Sequence, residues 1–446
     1  MPATPFDSAH LSGLFPTGDT ARLFTDSAEV RAMMLVEGAL AQVQGEQGVI
    51  PMESAKAIQR ASLECQIDPV GLAKATAQNG VSTPALVASF REAMMAPEHA
   101  AYLHWGATSQ DIQDTALMLR LRQALKLQAD RLSATLTALA QLAEDHAETP
   151  MAARTYGQHA TPTAFGAVVA QWGRPLISLL AGVDAVRKNL KVSLSGAAGT
   201  ASALGPDPIA LRAALAAKLN LEDPGHSWHA DRAPVLNIAA WFTRCALAAG
   251  KMGEDLVLAT QSGIAEVTLG GSGGSSTMPQ KQNPVAPSAM IALARHTQGL
   301  HATLEGAALH RQQRDGAAWF TEWLTLPQLI LAASAASTHM QEVAQTLAPN
   351  TAAMQATLDG TGGLLLAEAL SFELARQMPR PKAQAIVKDL CKRAQEVNEP
   401  LSKLAREAYP DLPAAFFDPT ATLGTAPAEA RAFATEARAA TKPATT

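Results

Sequence analysis

The stretch from about Ile112 to His146 constrains this chain more than any other. Leu117, Leu121, Leu125, Leu132, Leu136 and Leu139 recur there at helical spacing, which lays one apolar stripe along a single helix. At 1.5 Å per residue such a helix is about 50 Å long. A stripe of that length can be covered only by partners of comparable length, so the rest of the fold has to be built around it. Thr108, with Asp111 three residues on, marks its start, and Thr149 and Pro150 mark its end. The partners are legible too: Pro162 to Leu194, with Pro175 as a kink site, then Arg232 to Ser262, Pro284 to Leu309 and Trp319 to Leu347. β-Branched alternation is scarce. The expectation is an all-α protein with an elongated central five-helix bundle over residues 111–347. A smaller helical domain over 1–110 precedes it and another over 348–446 follows. The tail after about Thr420 is rich in Ala and Thr, and no internal repeat is evident.

Composition narrows the partners. With 35 basic and 40 acidic residues the formal charge is −5, and no Lys/Arg run writes a nucleic-acid or membrane-surface patch. No window approaches eighteen uninterrupted apolar residues, and the start lacks a basic segment followed by an apolar one, so a cytoplasmic location and a small-molecule partner are expected. Cys65, Cys245 and Cys391 are odd in number and far apart, and they read as buried thiols rather than a disulfide or zinc set. The pair His226 and His229 in "GHSWH" has no convincing set of further ligands, so no metal is expected.

Three loops between the long helices concentrate polar chemistry. The first, "HWGATSQDIQDT" from His104 to Thr115, places Thr108 and Ser109 at a helix start, where N–H groups and the dipole favour an anion. Thr108 as a plain helix cap is the alternative. The second, "ARTYGQHATPTAFG", crowds Arg154, Tyr156, Gln158 and His159 into one connection before Thr161 and Pro162 open the next helix, and it also reads as a solvated turn. The third is "GGSGGSSTMPQKQNPV", Gly270 to Val285. Ten of its sixteen residues are Gly, Ser, Thr or Pro, yet Met278, Lys281 and Asn283 have no place in a tether built for slack. A mobile lid carrying Ser275 or Ser276, with Lys281 near, could close over a substrate and exclude water; a flexible surface connection is the alternative. Gly270 to Gly274 also satisfies the GxSxG pattern of serine hydrolases. That motif needs a strand before it within a parallel sheet, and apart from "GIAEVTLG" no stretch reads as one.

Taken together, the three loops resemble the fumarase/aspartase superfamily, which includes argininosuccinate and adenylosuccinate lyases. Ser275-Ser276-Thr277-Met278-Pro279-Gln280-Lys281-Gln282-Asn283-Pro284 matches its signature SSxMPxKxNP at every fixed position, and the first two loops resemble its TSxDxxDT and TxGQxAxPTxxG regions. The resemblance covers most of the chain. It implies an L-aspartase/fumarase-like fold, a homotetramer with active sites shared between subunits, a small polycarboxylate substrate and no cofactor. It further implies that Ser275 is the base acting on a proton beside a carboxylate, and that Lys281 and Asn283 hold that carboxylate as charge accumulates on it. The physics is consistent: a carbon acid beside a carboxylate needs fixed cations and donors, which Lys281, Thr108 and Ser109 can supply. A serine alkoxide needs N–H groups such as a glycine-rich loop offers.

Within the superfamily, "DSAEVRAMMLVEGALAQVQGEQGVIP", "HWGATSQDIQDT", Trp319/Glu322/Trp323 in "AAWFTEW" and "GLLLAEALSFELARQM" resemble the bacterial 3-carboxy-cis,cis-muconate cycloisomerase branch. Gln282, where arginine is common, and "LHRQQRDG" before Trp319 depart from its pattern. Amine- and water-eliminating relatives carry histidine after the threonine of the second loop, as an acid for the leaving group, whereas this chain has Tyr156. A carboxylate leaving group, with a pKa of about 4, needs no such acid. His159 is then expected to bind a carboxylate or to orient Ser275, unless it is inert. His104, Arg154, Gln158, Ser276 and Met278 complete the expected substrate contacts. A second superfamily lyase of the adenylosuccinate type and a catalytically silent helical protein are the alternatives; Tyr156 argues against the former and the intact Ser275/Lys281/Asn283 set against the latter.

Overall fold

The structure is a computed structural model, and it describes residues 4–271, 273–274, 277–278 and 280–442. The fold is all-α, as the leucine periodicity requires. The long helices are Ser109–Asp145, Ala233–Ala259, Val285–Gly306 and Gly316–Thr346, each within a few residues of its expected bounds. The Leu117–Leu139 stripe is buried along most of its length, with Leu121, Leu125, Leu132, Leu136 and Leu139 fully enclosed.

One expected long helix is shorter. Residues 158–164 are a strand rather than a helix start, Phe165–Ala181 is a helix containing Pro175, and a one-turn helix Val183–Arg187 follows. β-Branched Thr161 and Thr163 flank a proline that has no N–H to give a helix, so the segment pairs antiparallel with Pro150–Thr155 instead. Two further two-stranded ribbons, Val267–Thr268 with Ala348–Pro349 and Gly273–Gly274 with Gln282–Asn283, correct the expectation that no strand accompanies "GIAEVTLG". The Ala/Thr-rich tail contains a helix, Ala426–Ala440.

The chain divides into two compact units. The first comprises Met1–Arg131, Ala181–Leu247 and Ala292–Thr338. Its core includes Asp26–Glu46, capped by Thr25 Oγ1, which accepts from the Ala28 N–H at 3.2 Å. Gly38 and Gly45 let the Met52–Glu64 helix lie directly on it: a Cβ at Gly38 would stand 2.0 Å from Ser62 Oγ, and at Gly45 2.4 Å from Ala55 Cβ. Cys245 is buried in this unit, and burial pushes its thiol up to about 12. Cys65 and Cys391 are half-buried, contrary to the expectation of three buried thiols: Cys65 caps the end of the Met52–Glu64 helix, and Cys391 lies on the Arg380–Val397 helix, one face of which is in solvent.

The second unit comprises Leu132–Leu180, Ala248–Ile291 and His339–Thr446. Leu370, Leu374, Val387, Leu390, Leu401 and Leu404 form one of its cores. Phe433 packs so close to Gly173 that a Cβ there would fall 2.1 Å from the ring. Among the described residues no helix is long and apolar enough to cross a membrane.

Candidate active site

The first loop belongs to the first unit, and its geometry radiates from Asp111. This carboxylate is wholly buried and accepts five hydrogen bonds, from the N–H groups of Thr108 (3.0 Å), Ser195 (2.8 Å) and Gly196 (2.9 Å), from His229 Nε2 (2.8 Å) and from Ser193 Oγ (3.4 Å). The bond to Thr108 is the carboxylate half of the capping box written in the sequence. The others draw the glycine-containing segment 193–199 up to the helix start, and one of them ties His229 to Asp111. Three residues on, Asp114 takes both ends of Arg232 at 2.8 and 3.0 Å, and Arg232 reaches Glu322 at 2.8 and 2.7 Å. The guanidinium is fully enclosed over the Trp228 ring. Burial would lower its pKa, but Asp114 and Glu322 together hold it above the ordinary value.

Arg314 is the residue that reading the sequence missed. Its Nε donates to Gln110 Oε1 at 2.8 Å, and its Nη2 donates to Thr108 Oγ1 at 3.4 Å and to the Ala197 carbonyl at 3.2 Å. A half-exposed cation therefore stands on the hydroxyl that was expected to help receive an anion. It comes from "LHRQQRDG", the run that departs from the cycloisomerase pattern, so the departure was itself the signal. His310 from the same run accepts from the Asp315 N–H at 3.4 Å, and burial and the Arg232 cation push its imidazole below the ordinary value. His104 occupies the left-handed region at φ 62° and meets Glu37 Oε1 through Nδ1 at 2.6 Å. Ser109 is half-buried and its carbonyl accepts from Thr83 Oγ1 at 3.5 Å.

The second and third loops belong to the second unit. The second is a hairpin whose two-residue turn is Tyr156-Gly157, with Thr155 opposite Gln158 and Arg154 opposite His159. Both turn residues have positive φ, 53° and 73°, as a type I′ turn requires. Tyr156 is fully exposed at the tip, and Gln158 and His159 are exposed beside it. Near the turn, Arg154 forms a bidentate pair with buried Glu266 at 2.7 and 2.9 Å. This pair lines a cavity of about 320 Å³ with Phe165, Trp172, Lys251 and Asp255.

In the third loop, Gly273–Gly274 pairs antiparallel with Gln282–Asn283. The Lys281 N–H donates to the Met278 carbonyl at 3.0 Å; the Lys281 and Met278 side chains are exposed and Asn283 is half-buried. Ser275 and Ser276 lie outside the described residues. A larger cavity, about 580 Å³, lies in the first unit against Val30, Met33, Leu72, Gln113, Asp114 and Arg120, and neither His104, Thr108 nor Ser109 lines it.

The comparisons with known proteins bear on this arrangement. Residues 16–299 match the model of a family described as lyase. Over 412 residues the chain is 35% identical to the 3-carboxy-cis,cis-muconate cycloisomerase of Bradyrhizobium diazoefficiens, covering 90% of this chain and 91% of that protein. It is 36% identical over 398 residues to the enzyme of the same name from Pseudomonas aeruginosa, covering 86% and 85%. The crystal structure of the 3-carboxy-cis,cis-muconate lactonizing enzyme from Pseudomonas putida matches with a TM-score of 0.91 at 31% identity, over 98% of this chain and 100% of that one. With its loops, its helices and these matches in accord, the chain belongs to the lyase family.

Proposed function

We propose that the chain cyclises 3-carboxy-cis,cis-muconate to 4-carboxymuconolactone, a step of protocatechuate breakdown in the β-ketoadipate pathway. The observation that carries this reading is the 35% identity to a cycloisomerase sustained over nine-tenths of both chains. In the reaction a carboxylate oxygen of the substrate adds to a carbon of its own conjugated diene. A C–O bond forms, electron density moves onto the carbon beside a second carboxylate, and a proton is taken up there. No atom is lost, so the enzyme is an isomerase, an intramolecular lyase.

The difficulty is the extra negative charge on the second carboxylate, and fixed cations and donors are the physical remedy. Lys281 and Asn283 hold that group; Thr108, Ser109, His104 and Arg314 hold the remaining carboxylates; and Ser275 exchanges the proton at carbon. His159 binds a carboxylate or orients Ser275. Arg154 fixes the turn end of the hairpin that carries Tyr156, Gln158 and His159, and Ser276 and Met278 line the lid. Tyr156 shapes the pocket without acting as an acid, since the group that leaves in the reverse direction is already a stable anion. The resemblance to the fumarase/aspartase superfamily supports an active form that is a homotetramer with sites shared between subunits, and a cytoplasmic location is proposed with it.

The test is an ultraviolet assay following loss of the conjugated diene of 3-carboxymuconate, run beside adenylosuccinate and argininosuccinate. Turnover of the muconate alone is expected. Robust cleavage of adenylosuccinate would instead establish the second reading, a lyase of the adenylosuccinate type.

A further inference from the structure

Glu37 lies on the Asp26–Glu46 helix in the middle of the apolar run "MMLVEGALA", where a surface carboxylate has no place. It is 1% exposed, and one oxygen, Oε1, meets His104 Nδ1 at 2.6 Å while the other, Oε2, has no hydrogen-bond partner among the described residues. A half-paired buried carboxylate is costly, and a structural tether could be made more cheaply by an amide or an apolar contact. The backbone of its partner is also unusual. His104 holds a left-handed φ of 62°, Gly106 follows at 72°, and a Cβ on Gly106 would stand 2.3 Å from the Ala203 carbonyl oxygen. Gln44 Nε2 clamps this turn by donating to the Trp105 carbonyl at 2.8 Å. The turn therefore aims the imidazole at one carboxylate and leaves Nε2 as the ring nitrogen available to a ligand.

The geometry points to Glu37 as a positioning residue for the proposed cyclisation: it fixes the His104 ring through Nδ1, and its carboxylate favours a charged ring whose Nε2–H donates to a substrate carboxylate. This rests on the function proposed above. A charged donor binds a carboxylate more strongly than a neutral one, and an imidazolium beside Glu37 also cancels the buried charge. Of the charged groups facing His104, Glu37 and Asp111 favour the protonated ring and Arg91 opposes it. Burial pulls its pKa down, but Glu37, with a smaller contribution from Asp111, outweighs burial and Arg91 and leaves it above the ordinary value.

Glu37→Gln tests this, because it preserves shape and an acceptor for Nδ1–H but removes the charge. With ¹⁵N-histidine labelling, the His104 titration is expected to move to lower pH in the variant. The high-pH limb of kcat/KM for 3-carboxymuconate should move the same way, with a loss of about tenfold at pH 8 and a smaller one at pH 6. In a His104→Gln background Glu37→Gln should cost nothing further, since Glu37 acts only through the ring. An unmoved His104 titration would overturn the inference, as would a uniform loss at every pH in a protein of unchanged circular dichroism. The titration needs no turnover, so it decides the pairing even where the muconate assay fails and the functional reading falls.

Discussion

Replacing Arg232 by methionine removes one cation from between two carboxylates and leaves the space nearly filled. Asp114 and Glu322 are each about 2% exposed, and four N–H···O contacts of 2.7–3.0 Å end on them from this one guanidinium. In Arg232→Met, Asp114 keeps the Gln110 Nε2 bond at 3.1 Å, while Glu322 has nothing comparable from this network. Breaking a buried ion pair from one side costs about 3–5 kcal/mol, and with two carboxylates stranded the upper half is expected. At about 2.1 cal/mol/K of unfolding entropy per residue, a protein of this size would fall in Tm by about 4–5 °C, measured by scanning calorimetry at matched protein concentration.

The pH dependence has a definite sign. Burial already raises the Glu322 carboxyl and Arg232 opposes it, so without the guanidinium the carboxyl rises further above its unfolded value. A group with a raised folded pKa contributes stability below the unfolded pKa and loses it as pH rises through the folded one. The deficit should therefore be smallest near pH 5 and largest near pH 8. Adding Asp114→Asn and Glu322→Gln should recover most of the loss. A variant melting within about 2 °C of wild type at pH 8, or one worse at pH 5 than at pH 8, would refute the reasoning.

Four further outcomes follow from the site. Ser275→Ala should lower kcat by at least about 10²-fold with the fold intact, and Ser276→Ala should be milder; equal, small effects would show that neither serine moves the proton. Tyr156→Phe should retain kcat to within about tenfold, and a collapse beyond about 10³-fold would show that a general acid is needed after all. Arg314→Ala should raise KM for the tricarboxylate by about 10–100-fold, the worth of a charged hydrogen bond, with Arg314→Lys between; an unchanged KM would confine Arg314 to bracing Thr108 and Gln110. Light scattering should give about four times the 46.6 kDa of one chain, and a fully active monomer would exclude shared sites.

The long helices were legible because periodicity is a one-dimensional property: Leu117 to Leu139 repeat on one face whatever packs against them. The 150–164 hairpin was not, since its turn signal, Tyr156-Gly157, is two residues long and the flanking Arg154, Gln158 and His159 read equally well as a solvated connection. Its clue was Gly157 after a residue able to take positive φ, between threonines suited to a strand. Arg314 was marked only by the departure of its run, "LHRQQRDG", from the cycloisomerase pattern. Its contacts with Thr108 and Gln110 span 206 and 204 residues of chain, and no local pattern specifies which distant hydroxyl an arginine will reach. Glu37 carried more signal than was used, as a lone carboxylate inside an apolar helix face implies a buried partner.

Cys245 gives this molecule a clock for its own opening. With its thiol pushed up to about 12, almost none of it is thiolate near neutral pH, and its complete enclosure denies reagents access. Alkylation of Cys245 under native conditions thus counts the excursions in which the 233–259 helix lets solvent in, while the half-buried Cys65 and Cys391 react without waiting for them. Mass spectrometry of the three cysteine peptides over time would record local opening of the interior from one unmodified sample, with two of the thiols serving as the control for the third.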